Sequence, residues 1–488
     1  MVSKKPAVQS KQIRILEKIL HRLRISKHKD KIYTMSFIRA HKIEIGIFFL
    51  ALLVRLFYFG FALQAHDWNL IATSRGADGY FSISQNVLRG NGFSSESVAP
   101  FAPNSFRVPL QPYFLALSAE LAGNYWLPLI LTLLISCFIP LIAMRLARHL
   151  SSSKAIVFGT GIFLALEPLS ILHSILFYSE PLFMLFFFLS LLYLFKYFER
   201  KNFVHLIFSS AFLGFATLTR PTTEYLPIII AAIIIWEART HLTKDVWVRT
   251  GAYLLVFFIV LAPWLYRNKV QFGVFALTPQ TGVNLYANLL PSVLSIENGT
   301  SFGAEYTKLK AQGVSGPNQT DVAEAQDYTN RALPLLLEHP ISLALTAGTV
   351  EIAFFTHDGV LEMLKLVGVK PDISLGTPAL FLLLHDPLKL LWFMGHYLRS
   401  PIILVLLARI IWIIVTLCFF VGAVRFIRKE GLTPYAVTML AAILYLALTT
   451  IIIGFTVTGR YRLPAEAIII PFALYGLLYL KTLWHQSR

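Results

Sequence analysis

The sequence predicts an all-α polytopic membrane protein, a bundle of about 10–12 transmembrane helices whose outer loops carry interfacial helices. Of its 488 residues, 56% are hydrophobic and only 14% are charged, a composition too apolar for a soluble chain of this length. Apolar runs of about 20 residues recur along the chain, and each is long enough to cross a bilayer as a helix. Basic residues gather at alternate ends of these runs, as the positive-inside rule requires.

The chain begins with a basic segment, residues 1–44, which we expect on the cytoplasmic side of the membrane. The net charge of the protein is +17, and Lys and Arg far outnumber Glu17 and Asp30 among residues 1–42. Apolar residues at helical spacing over residues 10–25 predict an amphipathic helix on the membrane surface. Basic arms can also bind nucleic acid. Beside a transmembrane span, however, contact with anionic membrane lipids is favoured, and no nucleic-acid partner is expected.

Ten apolar runs are predicted to span the membrane. Arg55 lies near the middle of the first run, so that face of the helix is expected to point into the protein. Residues 266–400 contain no clear span, and the semi-apolar pieces 332–366 and 378–398 could be interfacial helices or one or two further spans. The predicted spans lie at about residues 45–63, 125–147, 155–172, 180–198, 203–218, 225–236, 250–265, 402–424, 436–455 and 464–480.

These spans divide the chain into four parts. After the basic segment comes a transmembrane catalytic module, residues 45–265, with a first outer loop at 64–124. An extracytoplasmic or interfacial region, 266–400, and C-terminal transmembrane helices, 401–488, follow. Basic clusters after alternate spans predict that both termini are cytoplasmic, in the inner (plasma) membrane. The outer loops then bring to one face Asp78, Glu180, Arg220, Arg267 and Arg460.

Two acids on that outer face are candidates for chemistry. Asp78 lies in the stretch GADGY, where the flanking glycines allow close approach of the backbone to a ligand. It could instead be the N-cap of a helix over FSISQNVL. Glu180 begins the fourth span in YSEPLF, where an acid also suits the helix dipole. Glu167, beside Pro168, is a weaker candidate of the same kind.

Five arginines near the same face could bind phosphate, because a guanidinium pairs with phosphate in a planar fork. Any single arginine could instead be extending toward the lipid headgroups, but five at one face favour a shared anionic ligand. Tyr80 and Tyr461 could line the substrate site or belong to an aromatic belt at the membrane surface. The histidines show no metal-ligand spacing, and no nucleotide-binding loop is present. The five arginines are Arg107, Arg220, Arg267, Arg460 and Arg462.

Several stretches resemble the polytopic glycosyltransferases of the GT-C fold, specifically the branch of protein mannosyltransferases and lipid A aminoarabinose transferase. In that family's pattern the first-loop acid falls on Asp78 and the second acid on Glu180. The first loop often carries an Asp-Glu pair, and here Gly79 occupies the second place. The matching stretches, in the family's order, are GADGYFSISQNVLRGNGF, FRVPLQPYFLAL, FYSEPLF, LTRPTTEYLP, APWLYRNKVQFGVFALTPQTGVNLYANL and GRYRLPAEAIIIPFAL.

The resemblance implies a hexosyl- or pentosyltransferase that takes a sugar from a polyprenyl-phosphate donor on the extracytoplasmic face. The acceptor would be a glycan, a lipid or a protein, and the anomeric configuration would invert. The resemblance implies no certain cofactor, although a divalent metal is possible. It implies these roles: Asp78 as general base, Glu180 as positioning acid, Arg107, Arg220, Arg267 and Arg460 as phosphate ligands, and Tyr80, Tyr461 and Arg462 lining the substrate site.

Two other functions compete with this one. A polysaccharide polymerase or ligase also has many spans and a large outer loop, but its donor would be a lipid-diphosphate glycan. A lipid or solute transporter would show two related halves with broken helices at mid-membrane. The sequence contains no such repeat, and its charges gather mostly in loops on one side. Glycosyl transfer is therefore the favoured function.

Overall fold

The computed structural model describes residues 42–311, 321–369, 382, 386–397 and 403–486. Within these residues the chain is helical and contains no β-strand, which confirms the all-α membrane class. The predicted amphipathic helix at 10–25, with nearly all of the basic segment 1–44, lies outside the described residues. So does part of the predicted piece 378–398.

Seven helices in the described part of the chain are long and apolar enough to cross a membrane. They correspond to seven of the predicted spans and extend beyond most of them by a few residues at each end. These helices are α1 (Lys42–Ala65), α5 (Trp126–Leu150), α8 (Glu180–Arg200), α11 (Lys244–Phe272), α19 (Ile403–Glu430), α20 (Pro434–Thr450, continued by a 3-10 helix to Thr456) and α21 (Leu463–Gln486).

The other three predicted spans are shorter or broken. The fifth and sixth are helices α9 (Phe203–Thr219) and α10 (Leu226–Glu237). The third, predicted over 155–172, is broken. It is two helices, α6 (Lys154–Leu166) and α7 (Pro168–Ser174), which meet at 52°.

The break between α6 and α7 has a local cause. Pro168 has no backbone N–H to continue the ladder of α6, and the residue before a proline is pushed toward extended backbone. Glu167 adopts that conformation, with φ −65° and ψ 125°, and its carboxylate Oε2 accepts a hydrogen bond from the Ser170 N–H at 2.5 Å. Glu167 is thus the N-cap of α7, a structural role for this weaker acidic candidate.

The loops for which interfacial helices were predicted do contain helices. The first loop contains α2 (Leu70–Ser74), α3 (Tyr80–Leu88) and α4 (Leu110–Ala122). The region after α11 contains a second bent pair, in which the segment Val322–Glu338 meets α16 at 105°. Its helices are α12 (Gln280–Asn284), α13 (Leu290–Glu297), α14 (Phe302–Ala311), α15 (Ala325–Glu338), α16 (Pro340–Thr356), α17 (Val360–Leu366) and α18 (Pro387–Tyr397).

Helix α8 lies at the centre of the main hydrophobic core, and Phe183, Phe187 and Phe195 on it are fully buried. Arg55 on α1 is also fully buried, as predicted. Its guanidinium donates to Ser136 Oγ of α5 at 2.7 Å and to Ser170 Oγ of α7 at 2.7 Å. Because a buried charge needs hydrogen-bond partners, these contacts tie the first span to α5 and α7.

Helices α19 and α21 cross at very close range. A Cβ atom on Gly422 would lie 1.9 Å from the carbonyl oxygen of Phe472, and one on Gly476 would lie 2.1 Å from that of Cys418. Only glycine permits this approach of two backbones, which is typical of helix packing in membranes. The crossing fixes α21, the helix that begins just after the loop carrying Arg460.

We therefore predict that Gly422→Val destabilises the bundle by about 1–3 kcal/mol, the usual cost of forcing extra volume into a packed core. The measurement is the apparent Tm of the purified protein in detergent. Gly251→Val is the matched control, because Gly251 is also helical but has nothing within 4 Å of an added Cβ. Equal Tm values for the two variants would contradict the close crossing.

Candidate active site

The first loop, residues 64–124, presents the Asp78 carboxylate at one end of the bundle. Gly79, with φ +78°, is the N-cap residue of α3, and that cap has no side-chain hydrogen bond. Asp78 is therefore not a helix cap, the alternative that the sequence left open. Gly76 has φ +63°, and a Cβ there would come within 2.1 Å of the Tyr178 ring. The Tyr178 hydroxyl accepts a hydrogen bond from the Ala77 N–H at 3.0 Å. This part of the loop therefore packs against the segment just before α8.

Arg460 bridges the two candidate acids. Its Nη2 donates to Asp78 Oδ2, and its Nε donates to Glu180 Oε1. Its guanidinium also stacks on the Tyr178 ring, 4.6 Å from the centroid. Arg460 lies in a 3-10 turn, Gly459–Tyr461, just before α21. One side chain near the C-terminal end of the chain thus joins the first loop to the start of α8.

Glu180 is fully buried beneath this bridge. Its Oε1 also accepts from Arg220 Nη1, and His173 Nε2 of α7 lies 4.0 Å away. Its second oxygen, Oε2, has no hydrogen-bond partner. Two guanidinium contacts in a buried place keep Glu180 ionised and fix its position, and the same contacts hold Arg220 and Arg460 beside each other.

Arg107 closes the cluster from the side of the first loop. Its Nε donates to the backbone oxygen of Asp78 at 2.8 Å, and its Nη2 lies 3.8 Å from Asp78 Oδ1. Its guanidinium stacks on the ring of Tyr80, 5.1 Å from the centroid. The Tyr80 hydroxyl donates in turn to Ser179 Oγ at 3.2 Å. Both carboxylate oxygens of Asp78 therefore face arginine.

These contacts govern the charge of Asp78. Burial alone would raise the pKa of its carboxyl group, but the charges and hydrogen bonds of Arg460 and Arg107 outweigh burial and hold that pKa below its ordinary value. Asp78 is thus an anion at neutral pH. As long as both oxygens face guanidinium groups, however, it is a weak proton acceptor, since its basicity falls with its pKa.

A cavity of about 640 Å³ opens beside the cluster. Its polar end contains Asp78, the three arginines of the cluster and both tyrosines that the sequence proposed as lining residues. Its other end is apolar and lies between α10 and α20. The lining includes Tyr80, Arg107, Arg220, Glu224, Tyr225, Ile229, Thr278, Gln280, Asn284, Leu444, Tyr445, Leu448, Arg460 and Tyr461.

Two predicted site residues lie elsewhere. Arg267 is not among the cavity-lining residues; it donates to the Asn104 backbone oxygen at 3.0 Å and stacks on Trp264, 4.7 Å from the centroid. Arg462 is fully buried, pairs with Glu466 at 3.1 Å and does not line the cavity. In this structure Arg267 thus connects the first loop to α11, and Arg462 pairs with an acid inside the bundle.

The cavity also contains groups that the sequence reasoning missed. Glu224, Gln280 and Tyr445 all line it. Glu224 could have been noticed, because it lies four residues after Arg220 within the stretch LTRPTTEYLP. Gln280 and Tyr445 gave no local signal, because their place depends on how α12 and α20 pack.

The residues around Asp78 do not fit a divalent cation. Its neighbours are guanidinium groups, which repel a metal ion, and Gly79 supplies no second carboxylate. Among the residues that the structure describes, no group of three or more His, Cys, Asp or Glu side chains could hold a metal ion.

Comparison with known proteins agrees with the resemblance over part of the chain. Residues 103–266 match the family model of dolichyl-phosphate-mannose-protein mannosyltransferases, a range that includes Arg107, Glu180, Arg220 and Glu224. No curated protein matches the sequence significantly.

Two solved structures of an oligosaccharyltransferase from Archaeoglobus fulgidus are similar in fold. One is the archaeal enzyme AglB in complex with an inhibitory peptide and a dolichol-phosphate, at 12% identity and a TM-score of 0.47, covering 92% of this chain and 52% of that chain. The other, a complex with Zn and sulfate, has 12% identity and a TM-score of 0.44, and covers 88% and 49%. The chain spans about half the length of these proteins.

The arginine bridge should stabilise the fold. Arg460→Gln leaves the buried Glu180 with one guanidinium in place of two, and we predict a loss of about 3 kcal/mol, the low end for breaking a buried ion pair. Adding Glu180→Gln should restore part of the loss, because the buried charge is then gone. The measurement is the apparent Tm in detergent.

Arg148→Gln is the control for this change, since Arg148 pairs with Glu44 at 2.5 Å but is half exposed. Exposed pairs contribute at most about 1 kcal/mol. An Arg460→Gln protein as stable as the control would show that the bridge does not hold the site together.

Proposed function

We propose that this protein is a glycosyltransferase that moves a sugar from a polyprenyl-phosphate donor to an acceptor at the outer face of the inner membrane. The observation that carries the proposal is the cavity itself, which combines three guanidinium groups and an ionised carboxylate at one end with an apolar groove at the other. A lipid phosphate has the same division into a charged head and an apolar tail. The family match over residues 103–266 supports the same class of donor.

The arginine end suits a phosphate. Arg107, Arg220 and Arg460 contact two carboxylates, those of Asp78 and Glu180, so this cluster has one positive charge in excess. A sugar phosphodiester carries one negative charge and would balance it. Guanidinium groups also match phosphate geometry, because two parallel N–H bonds can reach two oxygens.

The apolar end suits a polyprenyl chain. Ile229 of α10 lines the cavity together with Leu444 and Leu448 of α20. Both leucines are more than half exposed at the outer surface of the bundle, where the membrane lies. A lipid can therefore reach the cavity from the bilayer between α10 and α20 while its phosphate stays at the arginine cluster.

The proposed reaction is an inverting displacement. An acceptor hydroxyl or amine attacks the anomeric carbon, the bond from that carbon to the phosphate oxygen breaks, and the electron pair leaves with the phosphate. Asp78 takes the proton of the acceptor, a role usually worth about 10²–10⁴ in rate. The three arginines offset the charge that grows on the departing phosphate, as preorganised cations do in phosphoryl and glycosyl chemistry.

Donor binding would also activate Asp78. In this structure both oxygens of Asp78 face Arg460 and Arg107. A phosphate that accepts hydrogen bonds from these guanidinium groups competes with Asp78 for them. The pKa of Asp78 would then rise toward its ordinary value and one oxygen would become free, so the base would form only when the donor is present.

The base assignment is tested by Asp78→Asn. Asparagine keeps the size and one carbonyl oxygen but cannot take a proton, so turnover should fall by at least about a hundredfold while donor binding stays near wild type. The assay is transfer from polyprenyl-phosphate sugars by the purified full chain, with mass spectrometry of the products.

Asp358→Asn is the matched control for this substitution. Asp358 is buried and pairs with Arg409 at 2.9 Å, and it does not line the cavity. Its variant should retain turnover. If Asp78→Asn also retains turnover, Asp78 has no part in proton transfer.

The phosphate site is tested at Arg107. We expect Arg107→Ala to weaken binding of a polyprenyl-phosphate donor about tenfold or more, the effect of losing a charge-assisted hydrogen bond. Arg107→Lys should recover only part of it, because Lys lacks the fork. Arg267→Lys is the control outside the cavity. A diphosphate donor that binds and reacts better than the monophosphate would favour the polymerase or ligase function instead.

A further inference from the structure

One acid in the cavity has no cation beside it. Glu224 follows the 3-10 turn Pro221–Thr223 and lines the same cavity as Arg220, which precedes that turn. Within the described ranges, its carboxylate has no hydrogen-bond or ion-pair partner. In contrast, Asp78 and Glu180 each contact two arginines. The Glu224 charge is therefore not used to hold the arginine cluster.

The position of Glu224 makes an unpaired carboxylate costly. The side chain is half-buried, and this burial raises its pKa above the ordinary value. A polar group removed from water costs free energy unless something hydrogen-bonds to it. Neither of its oxygens is fully enclosed among the described residues, so their hydrogen bonds come from the cavity, from water or from a bound ligand.

The cavity that Glu224 lines also contains neutral groups suited to a sugar. The same cavity is lined by Gln280, Asn284 and Thr222, which can donate and accept hydrogen bonds, and by the ring of Tyr445. The backbone N–H of Tyr225 donates to the Tyr445 hydroxyl at 3.2 Å, which fixes that ring against the turn carrying Glu224. A few polar groups among aromatic rings are what orient a small ligand in a pocket.

The size of the cavity connects Glu224 to the arginines. A cavity of about 640 Å³ is on the order of 10 Å across, room for one ring and the group attached to it. A sugar whose phosphate lies at the arginine cluster can therefore come within reach of the other polar walls. The carboxylate on one of those walls can accept hydrogen bonds from hydroxyl groups of the ring.

We propose that Glu224 is a specificity-determining residue, whose carboxylate accepts hydrogen bonds from hydroxyl groups of the transferred sugar. This assignment rests on the proposed function, because it needs a sugar attached to the phosphate in this cavity. Glu224 takes no proton in the reaction. It selects the sugar, since a donor that lacks the contacted hydroxyls leaves the carboxylate unsatisfied, and sites built on such bonds reject analogues that lack them.

The test compares two lipid probes, polyprenyl phosphate without a sugar and a panel of polyprenyl-phosphate hexoses and pentoses. Binding is measured to the full chain in nanodiscs. Wild type should bind the unsugared lipid and bind at least one sugar-bearing lipid more tightly. Glu224→Ala should weaken the binding of that sugar-bearing lipid about tenfold to a hundredfold, as expected for hydrogen bonds to a charged group. It should leave the binding of the unsugared lipid unchanged.

Two further variants make the result specific. Glu224→Gln should retain part of the affinity, because its amide oxygen still accepts a hydrogen bond. Glu362→Gln is the matched control, since Glu362 also has a pKa raised by burial but does not line the cavity. It should bind both lipids like wild type. Unchanged binding of the unsugared lipid also shows that each variant is folded.

The outcomes separate the two proposals. If Glu224→Ala leaves the affinity for the sugar-bearing lipid unchanged, or lowers the affinity for both lipids equally, Glu224 does not recognise the sugar. The proposed function then stands. If wild type binds neither lipid, the proposed function fails, and the assignment of Glu224 fails with it.

Discussion

The Arg460 guanidinium is the interaction on which the site depends. It contacts Asp78 of the first loop and Glu180 at the start of α8, and it stacks on Tyr178. Without a cation between them, two carboxylates at the edge of the hydrocarbon would repel each other and be expensive to bury. Arg460 attracts both carboxylates and so links two segments that are far apart in sequence. The same atoms form the phosphate end of the cavity, so stability and the proposed function rest on one cluster.

Two features of the bundle hold this cluster in place: the break between α6 and α7, and the close packing of α7 against the turn that carries Arg460. The break at Glu167 turns α7 toward the site and brings His173 to 4.0 Å from Glu180. Leu169 of α7 packs against Gly459, where an added Cβ would lie 2.6 Å from Leu169 Cδ1. The turn that carries Arg460 is thus seated on α7. A straight third span would provide neither contact.

Hydropathy and charge predicted most of the fold because both signals are local. A run of apolar residues identifies a span wherever it packs, and the alternation of basic clusters assigned the loops of Asp78, Glu180, Arg220 and Arg460 to one end of the bundle, where the structure brings them together. Side-chain direction is not local. Arg267 and Arg460 both lie close to the ends of spans, but Arg267 contacts Trp264 and the Asn104 backbone instead of lining the cavity. Glu224 was missed for the same reason, since one acid after a Pro-Thr-Thr turn looks like any solvated residue until α20 packs beside it.

The central claim is that the arginine cluster holds the phosphate of a lipid donor. The most direct measurement is a cryo-electron microscopy structure of the full chain in nanodiscs with polyprenyl phosphate. We predict the phosphate within hydrogen-bond distance of Arg107, Arg220 and Arg460, the polyprenyl chain between α10 and α20, and Asp78 with one oxygen released from arginine. A phosphate bound beside Arg267 or elsewhere on the surface, with the Asp78–Arg460–Glu180 bridge unchanged, would contradict the account.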